Sequence, residues 1–296
     1  MKGEAIAIAP DQRRVTDFLA LTKPRLNSLV VLTAGVGYVL GAASPLDLVT
    51  TLHVMLGSGL VAGAAAALNQ IAERDIDEAM HRTRGRPLPR GRVTPREGRA
   101  FAVTLGAVGL VELATGANPN AAAVALATLV IYIGVYTPLK RLTPWATVVG
   151  AVPGALPVVI GLAAARGGLT IEAWVLFGIV FLWQLPHFHA LSWLHRDDFR
   201  RAGLPLVATL DTDGRRTARH AVAFAAALLP MSLAPAFIGM AGWPYLALAS
   251  LLGAGFVGLA IGFALSPSAR RARSLFRGSL VYLPLLWASL VAERFM

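Results

Sequence analysis

Nine long apolar runs follow one another along the chain, and they constrain its fold more than any other feature. Each is long enough to cross about 30 Å of hydrocarbon as an α-helix, the shortest with some local thinning of the bilayer. Charged residues make up 15% of the 296 residues, against about 25% in a typical soluble domain. The sequence therefore predicts an all-α integral membrane protein, a bundle of nine transmembrane helices. We place the runs near residues 26–43, 50–72, 100–116, 121–137, 146–165, 171–194, 221–240, 243–265 and 278–293.

The basic residues predict how the chain is threaded through the membrane. If the N-terminus is cytoplasmic, the tail and the loops after the even-numbered spans hold 25 of the 27 lysines and arginines. Cytoplasmic loops carry such an excess, so the alternation supports both the span count and this orientation. The same topology accounts for the net charge of +11, so we expect no nucleic-acid partner. We divide the chain into a cytoplasmic tail, residues 1–25, and a single transmembrane domain, residues 26–296.

A polar stretch at the end of the second run carries the strongest functional signal. Asn69, Glu73 and Asp77 are four residues apart, so their side chains share one face of a helix. Hard divalent cations prefer oxygen ligands, and Mg2+ is usually held by one or two carboxylates together with substrate phosphates. Arginines follow directly, and guanidinium groups bind phosphate oxygens by paired hydrogen bonds. We predict a metal and diphosphate site here, with nearby bases Arg74, Arg82 and Arg86.

A second polar stretch repeats this pattern at the end of the sixth run. On a regular helix, Gln184, His187 and Asp198 lie close to one stripe. His189 cannot share a ligand with His187, because two residues turn a helix by about 200°. We expect the two acids to complete the metal site and the other residues to contact substrate. The predicted residues of this stretch are Gln184, His187, Asp197, Asp198 and Arg201.

Tyr136, Lys140 and Arg141 follow the fourth run on the same predicted side of the membrane. In one interpretation, the two bases meet anionic substrate or lipid head groups, and the tyrosine lines the mouth of a cavity. In the other, they are an interfacial aromatic residue and two charges that only set the topology. The residues alone leave both interpretations open.

Together, the three stretches resemble the UbiA superfamily of intramembrane aromatic prenyltransferases, and within it the branch that farnesylates protohaem IX. The superfamily's first motif, an Asn followed by spaced acids, corresponds to Asn69, Glu73 and Asp77. Glu73 stands where the haem-directed relatives usually carry Asp. The glutamate keeps the carboxylate, but its side chain reaches further. The Trp-Gln-x-Pro-His-Phe run and the Asp-Asp pair correspond to residues 183–188 and 197–198. The Tyr-Thr-x-x-Leu-Lys-Arg signature is nearly matched by residues 136–141, with Leu139 at its leucine position. Each motif is weak alone, but all of them in order and on one predicted side are specific.

The resemblance implies a bundle around a central cavity that opens to the cytoplasm and to lipid. It implies transfer of a farnesyl group from farnesyl diphosphate to the 2-vinyl group of haem B, giving haem O, with Mg2+ as cofactor. His187 would orient haem B through its iron, and Lys140 or Arg141 would meet a propionate. The implied setting is the bilayer of the bacterial cytoplasmic (inner) membrane, with a haem A synthase as a further partner. The resemblance assigns the metal to Asn69, Glu73, Asp77, Asp197 and Asp198, and catalysis to this set with Arg74.

Three other functions fit the sequence less well. A UbiA-type enzyme with another acceptor, such as 4-hydroxybenzoate or a quinone precursor, is disfavoured by residues 183–188 and by Gln70, where those relatives tend to carry a second acid. A membrane transporter would place charges at the bilayer midplane, where only Glu112 is a candidate. A non-catalytic assembly factor would need no paired acids of this kind. The absence of cysteine excludes disulfides, thiolate metal sites and thiol nucleophiles.

Overall fold

The computed structural model describes residues 10–43 and 45–295, which form helices joined by short loops, with no β-strand in those ranges. The predicted all-α class is confirmed; the first nine residues of the predicted tail, Ser44 and Met296 lie outside the described residues. The helices are α1 (Pro10–Leu21), α2 (Pro24–Gly41), α3 (Leu48–Ala72), α4 (Arg74–Ala79), α5 (Pro95–Gly116), α6 (Pro119–Val130), a π-helical segment (Ile131–Tyr136), α7 (Thr137–Leu139), α8 (Ala146–Arg166), α9 (Ile171–Leu194), α10 (Arg196–Arg201), α11 (Val207–Leu210), α12 (Arg215–Phe237), α13 (Trp243–Leu265) and α14 (Ala269–Arg294).

Eight helical stretches of the described chain are long and apolar enough to cross a membrane. They correspond to the second to ninth predicted runs, with α6, the π-helical segment and α7 forming one continuous span, 119–139. The first predicted run is α2, an 18-residue helix that begins with Pro24, Arg25 and, two residues later, Asn27. These residues make its first turn polar, so a crossing by α2 stays a prediction. The chain is a multi-pass membrane protein.

The starts of α3 and α5 are encoded by local side-chain caps. Asp47 Oδ1 accepts hydrogen bonds from the backbone N–H groups of Val49 and Thr50 at 2.9 and 3.2 Å. Thr94 and Glu97 form a reciprocal capping box around the first turn of α5. Because α3 and α5 pack against each other in opposite directions, the polar C-terminal end of α3 lies beside the capped start of α5.

Small residues let α2 and α8 approach closely. A Cβ added at Gly37 would lie 2.2 Å from the carbonyl oxygen of Val158, and one at Gly161 would lie 2.0 Å from that of Ala34. Membrane helices pack by such close contacts, because lipid supplies no hydrophobic driving force between them. The two helices therefore form one wall that any larger residue at Gly37 or Gly161 would push apart.

A cavity of about 440 Å³ lies between α2, α3, the π-helical segment, α8 and α9. Its lining is mostly apolar, with residues such as Val30, Ala62 and Pro157. The largest buried apolar cluster fills the space behind it, among α8, α9, α12, α13 and α14. The packed helices thus surround an apolar chamber whose polar lining residues include Lys23 and Tyr136.

Part of the predicted tail is the helix α1, which the sequence analysis did not anticipate. Phe18 packs against Phe101 of α5 with ring centroids 5.2 Å apart, and Leu21 is completely buried. Arg14 forms an ion pair with Glu97. The described part of the tail is therefore docked on the bundle, and it brings Lys23 to the cavity.

Candidate active site

Two breaks between helices position the acidic residues. α3 and α4 meet at Glu73 (φ −111°, ψ 17°), and α9 and α10 meet at His195 (φ −113°, ψ 21°). Each break starts a six-residue helix with two acids in its first turn. Asp198 therefore lies on a different helix from Gln184 and His187, so the single stripe expected from a regular helix is interrupted.

Asn69 and Glu73 form the buried centre of the first acidic group. They are 3% and 4% exposed, and Asn69 Nδ2 donates a hydrogen bond to Glu73 Oε2 at 2.8 Å. The predicted four-residue spacing thus brings these side chains together. Thr137 Oγ1 donates to Asn69 Oδ1 at 3.0 Å, and Lys140 forms an ion pair with Glu73. Because a buried charge without a partner is strongly destabilising, Lys140 compensates the charge of Glu73.

Asp77 is the second buried acid of this group, with an exposure of 1%. Nη1 of Arg86 donates to both carboxylate oxygens at 2.8 Å. The hydroxyl of Thr83 donates to the backbone carbonyl of Asp77, also at 2.8 Å, and holds the loop after α4. Arg86, predicted as a phosphate ligand, therefore lies beside the acids predicted to bind the metal. In this structure it is hydrogen-bonded to one of them, Asp77.

Lys23 has an unusual backbone conformation at the junction of α1 and α2. Its φ of 48° makes it the one non-glycine residue in the described ranges with a positive φ. Its carbonyl accepts hydrogen bonds from the N–H groups of Leu26 and Asn27 at 2.9 and 3.0 Å. The buried amide of Gln70 donates to the carbonyl of Leu21 at 2.7 Å and fixes the preceding turn. Such strained conformations persist where the surrounding structure imposes them, often at functional sites.

Lys23 lines the cavity and is close enough to Glu73 and Asp77 of the first acidic group for both to affect its pKa. Burial lowers its pKa to about 8; the nearby Arg86 adds to this effect, whereas Glu73 and Asp77 oppose it. Among the hydrogen bonds and ion pairs of the described residues, none involves its ammonium group. Lys23 is therefore a cation available to an anionic ligand in the cavity.

The second acidic group lies on α10 and is more exposed. Asp198 forms an ion pair with Arg201, and Asp197 lies 3.6 Å from a guanidinium nitrogen of Arg200. Phe199, which follows the two acids, packs against residues of α4 and its loop, including Ile76. The two short helices are thus in direct apolar contact.

Arg82 links the two acidic groups electrostatically. Its guanidinium carbon lies 5.7 Å from the ring centroid of Phe199. Burial lowers the pKa of Arg82, as does the nearby Arg86, whereas Asp198 and Asp77 act in the opposite direction. Arg82 is therefore close enough to an acid of each group for both to affect its pKa.

The five predicted metal ligands do not converge in this structure. Within the described ranges, no three histidine or acidic side chains form a group that could hold a metal ion. Most of the acids instead meet a base. The donor chemistry of the first group still fits Mg2+, because Asn69, Glu73 and Asp77 offer buried amide and carboxylate oxygens.

Two predicted bases lie outside this arrangement. Arg141 makes a two-point contact with Asp75 at 2.8 and 2.9 Å and donates to the carbonyl of Ala72 at 2.7 Å. Its hydrogen bonds to Asp75 lower the pKa of that carboxyl group. Arg74 is exposed, with no ion pair to a described residue. Arg141 thus binds the C-terminal end of α3 and the start of α4. Arg74 is not among the residues that line the cavity.

The π-helical segment places two stacked tyrosines in the cavity wall. The rings of Tyr132 and Tyr136 have centroids 5.3 Å apart and an angle of 28° between their planes. The hydroxyl oxygen of Thr137 lies 2.8 Å from the carbonyl oxygen of Tyr132 and 3.0 Å from Asn69 Oδ1, so its one hydrogen is shared between the π-helical segment and Asn69. A Cβ at Gly150 would lie 2.5 Å from the ring of Tyr136, so glycine makes room for it.

Gln184 and His187 line the opposite wall, on α9. Gln184 Nε2 donates to the carbonyl of Ala151 at 2.8 Å. His187 is 2.7 Å from the hydroxyl of Ser279. His189 points instead toward α12, where it meets the ring of His220. The expected divergence of the two α9 histidines is observed, with His187 at the cavity.

The sequence analysis missed several residues of the site. Lys23 had a visible signal, a base directly before the proline that starts α2. Tyr132 and Ser279 had none, because only packing brings them to the cavity or to its polar groups. Thr137 lies within the Tyr-Thr signature, but the sequence analysis assigned it no role.

A model of the UbiA prenyltransferase family matches residues 30–290 of the chain. The chain is 45% identical over 287 residues to a protein of Solibacter usitatus named protoheme IX farnesyltransferase, covering 94% of this chain and 98% of the relative.

Two solved structures share the fold. A structure of a digeranylgeranylglyceryl phosphate synthase has a TM-score of 0.80 at 16% identity, covering 95% of this chain and 98% of that one. A UbiA homologue from Archaeoglobus fulgidus bound to DMAPP and Mg2+ has a TM-score of 0.68 at 17% identity, covering 94% and 98%.

Proposed function

Because the chain belongs to the UbiA prenyltransferase family, we propose that it transfers a farnesyl group from farnesyl diphosphate to haem B and forms haem O. The membership predicted from the three motifs is confirmed. The observation that carries the proposal is one apolar cavity lined by Lys23 and His187, with the buried acids Glu73 and Asp77 close enough to Lys23 to affect its pKa. The relative from Solibacter usitatus, named for this reaction, supports the same donor and acceptor.

Lys23 and Arg86 are the proposed diphosphate ligands, with Arg82 near both acidic groups. As the allylic C–O bond breaks, its electron pair leaves with the diphosphate oxygen. Cations placed where this negative charge develops stabilise the transition state, and they are worth more in a water-excluded site. Bound at the oxygens of Asn69, Glu73 and Asp77, Mg2+ would add positive charge to the leaving group, as its binding to a UbiA homologue suggests.

The apolar part of the cavity would hold the prenyl chain. Its volume of about 440 Å³ is within the usual range of small-molecule sites. Tyr132 lines this space, and the face of an aromatic ring attracts a cation. An apolar, aromatic chamber therefore suits an allylic cation, because it excludes water until the acceptor has reacted.

Haem B is the proposed acceptor, approached from the α9 side. The terminal carbon of its 2-vinyl group bonds to C1 of the farnesyl cation, and the charge passes to the vinyl carbon next to the porphyrin. Water adds there and releases one proton, which gives the hydroxyethylfarnesyl group. His187 would hold the haem iron, and Lys140 rather than Arg141 would meet a propionate, since Arg141 is clamped on Asp75.

We place the protein in the bacterial cytoplasmic membrane with its N-terminus and the acidic groups on the cytoplasmic side, where a haem A synthase could take up the product. The sidedness of the basic residues supports this orientation. A transporter is less well supported, because Glu112 lies near the opposite end of the bundle, with its Oε1 2.7 Å from His53 Nδ1.

The test uses the purified protein in detergent with haem B, farnesyl diphosphate and Mg2+. Pigments are separated by chromatography and weighed by mass spectrometry. We expect a haem carrying one added hydroxyfarnesyl group, and its loss in Asp77→Asn. The matched control is Asp213→Asn, which removes an exposed acid that pairs with Arg215.

Unmodified haem from a folded wild-type protein would refute the proposal. The next acceptor to test would then be 4-hydroxybenzoate with the same donor. Equal loss of product in Asp77→Asn and Asp213→Asn would instead show that the acidic group has no special part in the reaction.

A further inference from the structure

Ser279 is a completely buried residue of α14 that contacts two residues of α9, Trp183 and His187, the second of which lines the cavity. Its hydroxyl oxygen lies 2.7 Å from Nδ1 of His187. The same hydroxyl donates to the carbonyl of Phe276, one turn back on α14, at 2.6 Å. The carbonyl of Ser279 accepts a hydrogen bond from the indole N–H of Trp183 at 2.9 Å. One residue thus anchors two side chains of α9, Trp183 and His187.

The hydrogen-bond pattern determines which nitrogen of His187 carries the proton. A serine hydroxyl has one hydrogen, and here it is donated to the carbonyl of Phe276. The oxygen of Ser279 therefore accepts from His187, so the proton of the neutral imidazole is on Nδ1. Nε2 is left with its lone pair, and among the described residues it has no hydrogen-bond partner.

The imidazole ring of His187 is also held in a fixed plane. It stacks on Trp183 with centroids 5.2 Å apart and planes at 27°, and it packs on Phe276 at 4.7 Å and 35°. Since His187 lines the cavity, its ring is the part of this cluster that a cavity ligand would meet. A histidine needed only for packing would not require a fixed tautomer with an unused lone pair.

We propose that Ser279 is a positioning residue: it keeps His187 in the Nδ1–H tautomer, so that Nε2 is free to ligate the haem iron in the cavity. Metal-binding histidines generally donate their second ring N–H to a fixed acceptor, which sets the tautomer and the ring orientation. The inference rests on the proposed function, because it takes haem B as the cavity ligand. Ser279 itself is not among the residues that line the cavity.

Haem binding without farnesyl diphosphate tests the proposal apart from turnover. Ferrous haem B is titrated into wild-type protein, His187→Ala, Ser279→Ala and Ser279→Thr, and the axial ligand is read from the iron–histidine stretch in resonance Raman spectra. We expect the stretch in wild type and its loss in His187→Ala. Loss of a hydrogen-bonding partner of a metal ligand typically costs about 10–100-fold in affinity, so Ser279→Ala should weaken haem binding by that factor. Ser279→Thr keeps the hydroxyl, so its haem affinity should stay close to the wild-type value.

A second measurement needs no haem at all. The nitrogen chemical shifts of 15N-histidine-labelled protein report which ring nitrogen of His187 is protonated. We expect Nδ1–H in wild type and redistribution of the proton toward Nε2 in Ser279→Ala. Ser274→Ala is the matched control, because Ser274 is an exposed residue of the same helix whose hydroxyl contacts only Arg270.

The outcomes separate this inference from the proposed function. If Ser279→Ala keeps the wild-type tautomer and haem affinity, or if His187→Ala keeps the iron–histidine stretch, the inference is overturned. The proposed function survives those results provided that haem O is still formed. If wild type binds no haem and forms no haem O, the proposed function fails and the inference fails with it.

Discussion

The lowered pKa of Lys23 makes the affinity for the prenyl diphosphate depend on pH. Burial lowers this pKa to about 8, so the ammonium is fully present below that pH and is lost above it. The donor does not change over the same range, since the second ionisation of a phosphate lies at about 6. A bound diphosphate would stabilise the ammonium form. Affinity should therefore be constant up to about pH 7 and fall as the pH rises through 8.

The size of the effect follows from the fraction of Lys23 that is protonated. With a pKa of about 8, most of the free protein carries the ammonium at pH 7 and about one tenth carries it at pH 9. The apparent dissociation constant should thus rise about tenfold between these values, which corresponds to about 1.4 kcal/mol. Lys23→Arg is the matched control, because a guanidinium stays charged throughout this range.

The assay is isothermal titration calorimetry of a non-reactive farnesyl diphosphate analogue into detergent-solubilised protein, with Mg2+ present at every pH. The tenfold loss should appear in wild type and be absent in Lys23→Arg. If the two proteins show the same pH profile, Lys23 does not bind the diphosphate through its ammonium group. An affinity unaffected by Lys23→Met at pH 7 would lead to the same conclusion.

Three further perturbations have defined outcomes. Asp77→Asn removes the charge from the doubly hydrogen-bonded pair with Arg86 and should destabilise the protein by about 1.5–3 kcal/mol, measured by denaturant unfolding in detergent. Gly37→Ala forces a Cβ to 2.2 Å from the carbonyl of Val158 and should cost about 1–3 kcal/mol; an unchanged melting temperature would contradict the close crossing. EDTA should abolish prenyl transfer while the spectrum of bound haem stays unchanged, which a combined turnover and absorbance assay can check.

The sequence by itself determined the fold class and much of the first acidic group. Membrane-spanning helices are visible in a sequence because lipid forces each span to be apolar over its whole length and to satisfy its own backbone hydrogen bonds. The contact between Asn69 and Glu73 was equally predictable, since residues four apart on a helix are neighbours. The three motifs identified the family because each is short and contiguous in the sequence.

Only the tertiary structure decided which residues share the cavity. His187 and Ser279 are 92 positions apart, and Lys140 and Glu73 follow the ends of different helices, so packing alone brings each pair together. The left-handed conformation of Lys23 depends on its neighbours as well as on its own preference, since the amide of Gln70, 49 positions from Leu21, holds the preceding turn. The bases that neutralise the acids were visible as charges, but their partners were not, because Coulomb interactions depend on distances that only the folded chain sets.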